Sequence, residues 1–93
     1  MAADFAFTVD PLVYGYLDRL YEDDYNAASR IEDMLELLGK DHRDPRVRAR
    51  AWDPGTGKWG FDVRGRDIHT VTWVVRTLDG QVEVEVLGII TNL

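Results

Sequence analysis

The spacing of apolar residues divides the chain near residue 44 into a helical part and a strand part. Apolar residues alternate with small or polar ones over residues 5–9, which predicts a short strand. Asp10-Pro11 predicts a helix start, because aspartate caps free amides and proline suits the first helical position. A second helix is predicted to begin at Asp23-Asp24 and to end at Gly39 with a left-handed cap. Helices joined this closely form an antiparallel hairpin.

After residue 44 the pattern alternates with the period of two that strands require. Strands are predicted over 46–51, 59–64, 68–76 and 82–86, separated by turn sequences at 53–57, 65–67 and 78–81. The resulting order is β-α-α-β-β-β-β. It predicts a single α+β domain over 1–93, with the helical hairpin packed on one face of a mostly antiparallel sheet. The first strand is expected to return beside a later strand through the helical crossover.

Composition excludes several classes of function. The 93 residues fit one domain, and the lack of cysteine rules out disulfides, thiolate metal sites and cysteine catalysis. No segment approaches the roughly 20 apolar residues of a membrane span, and the N-terminus lacks the basic start of a signal peptide. We therefore expect a soluble cytoplasmic protein. Two histidines without carboxylates at ligand spacing predict no metal site, and we expect no cofactor or small-molecule ligand.

The net charge of −6 argues against nonspecific nucleic-acid binding by the molecule as a whole, but the charge is unevenly distributed. Residues 1–42 hold three basic and ten acidic residues, a balance of −7. Residues 43–76 hold eight basic and four acidic residues, a balance of +4. An anionic partner would therefore dock on the basic middle of the chain.

Within this basic segment, the arginines allow two interpretations that the sequence leaves open. Arg46, Arg48 and Arg50 would project from one face of a strand, and arginine forks match phosphate oxygens. The alternative is that these arginines pair with acidic residues of the same chain. The tryptophans likewise suit either base stacking or, more often in so small a chain, the core.

The histidines and one glycine-rich segment are the other candidates for chemistry. His42 lies in a charged loop and is expected to be solvated. His69 follows a turn with two arginines, where it would act as a general acid or base on a phosphodiester or simply donate a hydrogen bond within a strand. Residues 55–58 contain part of a phosphate-binding loop sequence but lack the required flanking residues, which predicts a hairpin connection instead.

Short segments spread over nearly the whole chain carry a family resemblance through their order. These segments are Phe7-Thr8, Ala28-Ser29-Arg30-Ile31 through Leu37-Leu38, Asp44-Pro45-Arg46, Trp59-Gly60-Phe61-Asp62-Val63-Arg64, residues 68–75 and Val84 to Gly88. Together they resemble the RelE/ParE superfamily of toxins from bacterial type II toxin–antitoxin systems. The resemblance implies a small toxin that a cognate antitoxin neutralises. In the RelE branch it implies an endoribonuclease that cuts mRNA in the ribosomal A site by attack of the ribose 2′-OH, without a metal.

On this hypothesis the partners are an antitoxin, the ribosome and its mRNA. Arg64 and Arg66 would bind the scissile phosphate, and His69 would transfer protons. Flanking RNA would be held by the remaining candidates, Arg46, Arg48, Arg50 and Lys58.

The chain also departs from the RelE pattern. Gly60 and Asp62 stand where basic residues are usual, His69 stands where an arginine is common, and residues 89–93 lack the usual basic residues and tyrosine. These departures motivate a second hypothesis, a non-catalytic RelE/ParE-like protein that acts by protein binding, as a gyrase inhibitor or as a degenerate toxin–antitoxin partner. A third is an interaction module that shares only the architecture.

Overall fold

Two helices and five strands follow one another in the predicted order. A computed structural model describes residues 5–47, 50–53 and 57–92. Its elements are β1 (Phe5–Val9), α1 (Pro11–Asp23), α2 (Tyr25–Lys40), β2 (Arg50–Asp53), β3 (Lys58–Arg64), β4 (Ile68–Leu78) and β5 (Gln81–Thr91). The α+β prediction is confirmed.

The five strands form one mixed sheet in the order β1-β5-β4-β3-β2. β1 runs parallel to β5, with Phe5 opposite Val82, as a strand that returns through a helical crossover must. The other three pairs are antiparallel. The predicted turn between β4 and β5 is tight, because Asp79 and Gly80 both adopt positive φ, 51° and 79°.

The core lies between the helical hairpin and one face of the sheet. Alternate residues of β3, β4 and β5 point into it, as the period of two requires. Among them Phe61, Val71 and Trp73 are each at most 1% exposed, and the Phe61 and Trp73 rings lie 5.5 Å apart. Trp59 packs half-buried against this core, so these two tryptophans serve packing. The Trp52 side chain lies outside the described part.

Both helices begin at the predicted caps. Asp10 accepts a hydrogen bond from the Leu12 amide at 2.9 Å, and Asp24 accepts one from the Ala27 amide at 3.3 Å. The predicted end at Gly39 is wrong: α2 continues to Lys40. Gly39 lies inside the helix, where a Cβ would come within 3.2 Å of the Phe7 ring. Neither described helix has the length and apolar character needed to cross a membrane.

The strand predicted over 46–51 is wrong at residues 46 and 47, because residues 45–47 form a turn. Residues 48 and 49 lie outside the described part of the chain, and β2 spans Arg50–Asp53, within the last part of the prediction. The cause of the turn is Asp44, whose carboxylate accepts the Arg46 amide at 2.9 Å and whose carbonyl accepts the Val47 amide at 3.0 Å. Val47 is fully buried within this turn, so its apolar side chain joins the core from a residue that is not in a strand.

Candidate functional site

The feature best suited to chemistry is a cleft where α1 crosses the ends of β4 and β5. It encloses about 310 Å³ beside the β3–β4 turn. The residues that line it are Tyr16, Arg19, Leu20, Asp23, Asp67, His69 and Thr91. The cleft is therefore mixed in charge, with one guanidinium, two carboxylates, two hydroxyls and an imidazole.

A hydrogen-bonded chain of three side chains spans the cleft. The Tyr16 hydroxyl lies 2.6 Å from Nδ1 of His69 and also contacts the hydroxyl of Thr91. β4 and β5 bring His69 and Thr91 together, because they are directly opposite in the antiparallel register. His69 is 3% exposed, and its Nε2 has no hydrogen-bond partner among the described residues. The phenol and imidazole thus form a part-buried hydrogen-bonded pair, and both groups are of the type that serves in general acid–base chemistry.

The β3–β4 turn is anchored to the junction of the two helices. The Arg66 guanidinium pairs with Asp23, and the Arg66 amide donates to the Asp24 carboxylate at 2.9 Å. The amide bonds from Arg66 and Ala27 lower the pKa of Asp24, because they favour its ionised form. Asp23 in turn raises the pKa of Arg66. Arg66 is thus engaged within the molecule.

Gly65 permits this close approach. A Cβ at Gly65 would lie 2.8 Å from the Ala27 side chain and would collide with the Asp24 carboxylate. Only a residue without a side chain lets the turn reach the first turn of α2.

The structure does not bring the three predicted catalytic residues together. Val63 is opposite His69 and Arg64 is opposite Ile68 in the β3–β4 register. Because successive side chains alternate between faces, Arg64 projects from the face of the sheet that His69 does not share. The Arg64 carbonyl accepts a hydrogen bond from Arg30, whereas its guanidinium makes no ion pair with any residue in the described ranges.

Of the predicted RNA-binding residues, the structure describes the side chains of two, Arg46 and Lys58. Arg46 lies in a turn and holds Asp44 in a two-pronged ion pair of 2.7 and 3.0 Å, which lowers the pKa of Asp44 to about 2. Arg48 lies outside the described residues, as does the side chain of Arg50. Lys58 is exposed at the start of β3, on the face that carries Arg64. Lys58 and Arg64 are six positions apart, which corresponds to about 20 Å along a strand.

The position of His42 differs from the prediction. The ring is 8% exposed and packs edge-on against Phe5 at 4.9 Å between ring centroids. The loop after α2 folds back onto β1, so a histidine in a strongly charged sequence becomes buried.

Of the seven residues that line the cleft, only His69 was predicted as a site residue. The six that were not predicted are Tyr16, Arg19, Leu20, Asp23, Asp67 and Thr91. Tyr16 packs against the core from α1, and the sequence of that helix gives no sign of its hydroxyl's partner. Its pairing with His69 spans 53 positions and depends on where α1 crosses the sheet.

Comparisons of the chain with protein-family models, with curated proteins and with solved structures find no match. Within the ranges described, no three histidine or acidic side chains cluster as metal ligands would.

Proposed function

We propose that the protein is a RelE/ParE-like protein that acts by binding another protein, the second of the hypotheses drawn from its sequence. The single observation that carries this proposal is the separation of the groups that RNA cleavage would need. Arg64 and His69 project from opposite faces of the sheet, and Arg66 is paired with Asp23.

The chemistry explains why this separation matters. Attack of a ribose 2′-OH on a phosphodiester needs cationic donors at the phosphate and a proton acceptor within about 3 Å of the hydroxyl. A mostly buried His69 at 3% exposure and a guanidinium on the other face do not meet at one phosphate. Two of the predicted phosphate-binding cations, Arg46 and Arg66, already hold carboxylates.

The charge distribution supports a protein partner as well. Residues 1–42, which include both helices, carry a balance of −7 and would repel an RNA backbone. Under this proposal the partners are a cognate antitoxin and a protein target such as DNA gyrase.

The test is a pair of assays on the purified, folded protein. Cell-free translation with primer extension on the template should leave the mRNA uncut, while a gyrase assay should show inhibited supercoiling. Cuts at codon positions that require the ribosome would refute the proposal. Uninhibited supercoiling together with unimpaired translation would exclude gyrase as the protein target.

One observation favours the mRNA endoribonuclease as a second candidate. The cleft places a phenol–imidazole pair beside Arg19, whose guanidinium makes no ion pair with another described residue. If ribosome-dependent cuts appear, this candidate predicts that Tyr16→Phe and Arg19→Ala abolish them. Arg64→Ala, on the other face of the sheet, would leave cleavage intact.

A further inference from the structure

A second groove lies away from the His69 cleft, along the outer edge of β1. It encloses about 360 Å³ between the N-terminal half of α1, the C-terminal half of α2 and β1. Its apolar side chains are Phe7, Val9, Leu17 and Leu35, and its rim carries Tyr14, Glu32 and Glu36. We call it the β1 groove.

The strand beside the β1 groove has a hydrogen-bonding edge that no other described strand occupies. β1 stands at one edge of the sheet, and within the described residues it pairs only with β5. The Asp10 amide donates to the Val86 carbonyl at 3.0 Å, so alternate residues Thr8 and Ala6 also turn their backbone groups toward β5. The amides and carbonyls of Phe7 and Val9 therefore point outward, where an added strand would meet them.

The rim determines which side chains such a strand would carry. Glu32 and Glu36 are both exposed beside an apolar floor, within the acidic part of the chain. The ion pair between Lys40 and Glu36 spans 3.6 Å, and both side chains are exposed. Such a surface ion pair is weak, so a cationic side chain of a partner can replace Lys40 beside Glu36. Lysine and arginine fit this surface, because their aliphatic stems cover apolar groups while their cationic ends reach carboxylates.

We infer that the β1 groove binds an extended segment of a partner protein in which lysine or arginine occupies every second position. Alternate side chains of a strand point to one face, so the basic residues would face the groove and the others the opposite side. The inference rests on the proposed function only in treating the protein as one that binds proteins. It adds the chemistry of the partner and the location of the contact.

The test uses the full chain and a fluorescent, acetylated ten-residue peptide that alternates valine and arginine, followed by fluorescence anisotropy. We expect saturable binding that weakens at high salt, and no binding of the peptide that alternates valine and glutamate. Glu32→Gln with Glu36→Gln should weaken binding about tenfold. The matched control, Glu22→Gln with Asp33→Asn, removes the same charge from exposed helix positions outside the groove and should bind normally.

Amide hydrogen exchange gives a second measurement, because electrostatic attraction without strand pairing would not protect the amides of β1. On peptide binding, the amides of Phe7 and Val9 should gain protection, whereas those of Ala6 and Thr8 are already bonded to β5 and should not change. Equal weakening by both double variants, or unchanged exchange at Phe7 and Val9, would overturn the inference.

Two other outcomes would overturn it as well. If the valine–arginine peptide does not bind, the inference about the groove is overturned. The proposed function is not affected by that result, because the translation and supercoiling assays test it separately. Self-association in sedimentation that Glu32→Gln with Glu36→Gln abolishes would assign the groove to a second copy of the chain.

Discussion

Replacing Tyr16 by phenylalanine removes one hydroxyl and keeps the ring that packs against the core. That hydroxyl lies 2.6 Å from Nδ1 of His69, which is 3% exposed, and contacts the exposed Thr91. Thr91 can bond to water instead. His69 cannot, and its Nε2 already lacks a partner among the described residues, so the variant leaves both ring nitrogens unsatisfied.

An unsatisfied buried polar group costs about 1–3 kcal/mol. For a domain of this size each kcal/mol lowers Tm by about 4–8 °C, so Tyr16→Phe should lower Tm by roughly 5–20 °C. The control is Tyr14→Phe, because Tyr14 is 56% exposed and its hydroxyl remains in water. The free energy of unfolding of that variant should differ from that of the original protein by less than about 0.5 kcal/mol.

Urea unfolding followed by tryptophan fluorescence measures both variants. Adding His69→Leu to Tyr16→Phe replaces both polar partners with apolar groups and should recover part of the lost stability, with a coupling energy of about 0.5–3 kcal/mol. If Tyr16→Phe and Tyr14→Phe are equally stable, the phenol does not satisfy the buried imidazole and the description of the cleft is wrong.

Three further predictions concern stability. Gly65→Ala should lower the free energy of unfolding in urea by about 1–3 kcal/mol, because the new Cβ collides with α2. The control Gly88→Ala should not change it, because no atom lies within 4 Å of the new Cβ. Equal effects would contradict the docking of the β3–β4 turn. Leu38→Ala in the core should cost about 2–5 kcal/mol in the same assay, against less than about 0.5 for Leu12→Ala at 79% exposure. Thermal unfolding should show the pH dependence of Asp44, whose pKa falls from 3.8 to about 2 on folding. A lowered folded pKa gives stability that is present above the unfolded value and is lost as the pH falls from about 4 to 2. A Tm that rises over this range would contradict the ion pair.

Local sequence signals predicted most of the elements. Asp10-Pro11 and Asp24 cap the helices because an aspartate oxygen accepts amides of the next turn wherever the helix lies. The hairpin at Asp79-Gly80 formed because those residues tolerate positive φ. Each signal acts within four residues, so it can be recognised without knowing the fold.

The errors arose where a distant group or an alternative bond decided the outcome. Gly39 stays helical while Phe7, from the other end of the crossover, packs against it. Val47 is buried in a turn held by Asp44, although its spacing matched a strand. His42 is buried against Phe5 for the same kind of reason.

The candidate site shows the same limit more strongly. The sequence placed Arg64, Arg66 and His69 within six positions of one another, which suggested one site. The register of β3 against β4 decides which face of the sheet each side chain occupies, and it separates Arg64 from His69. Tyr16 reaches His69 only because α1 crosses the sheet at that point.

The sequence alone determined the order of elements, the helix caps and the tight hairpin, because each depends on neighbouring residues. It also determined the acidic first part and the basic middle of the chain, which follow from composition. Tertiary structure decided which strand pairs with β1 and which face of the sheet each basic side chain occupies. It also decided where the His69 cleft and the β1 groove lie. These features depend on contacts between residues far apart in the chain, and such contacts form only when the helices cross the sheet in one particular way.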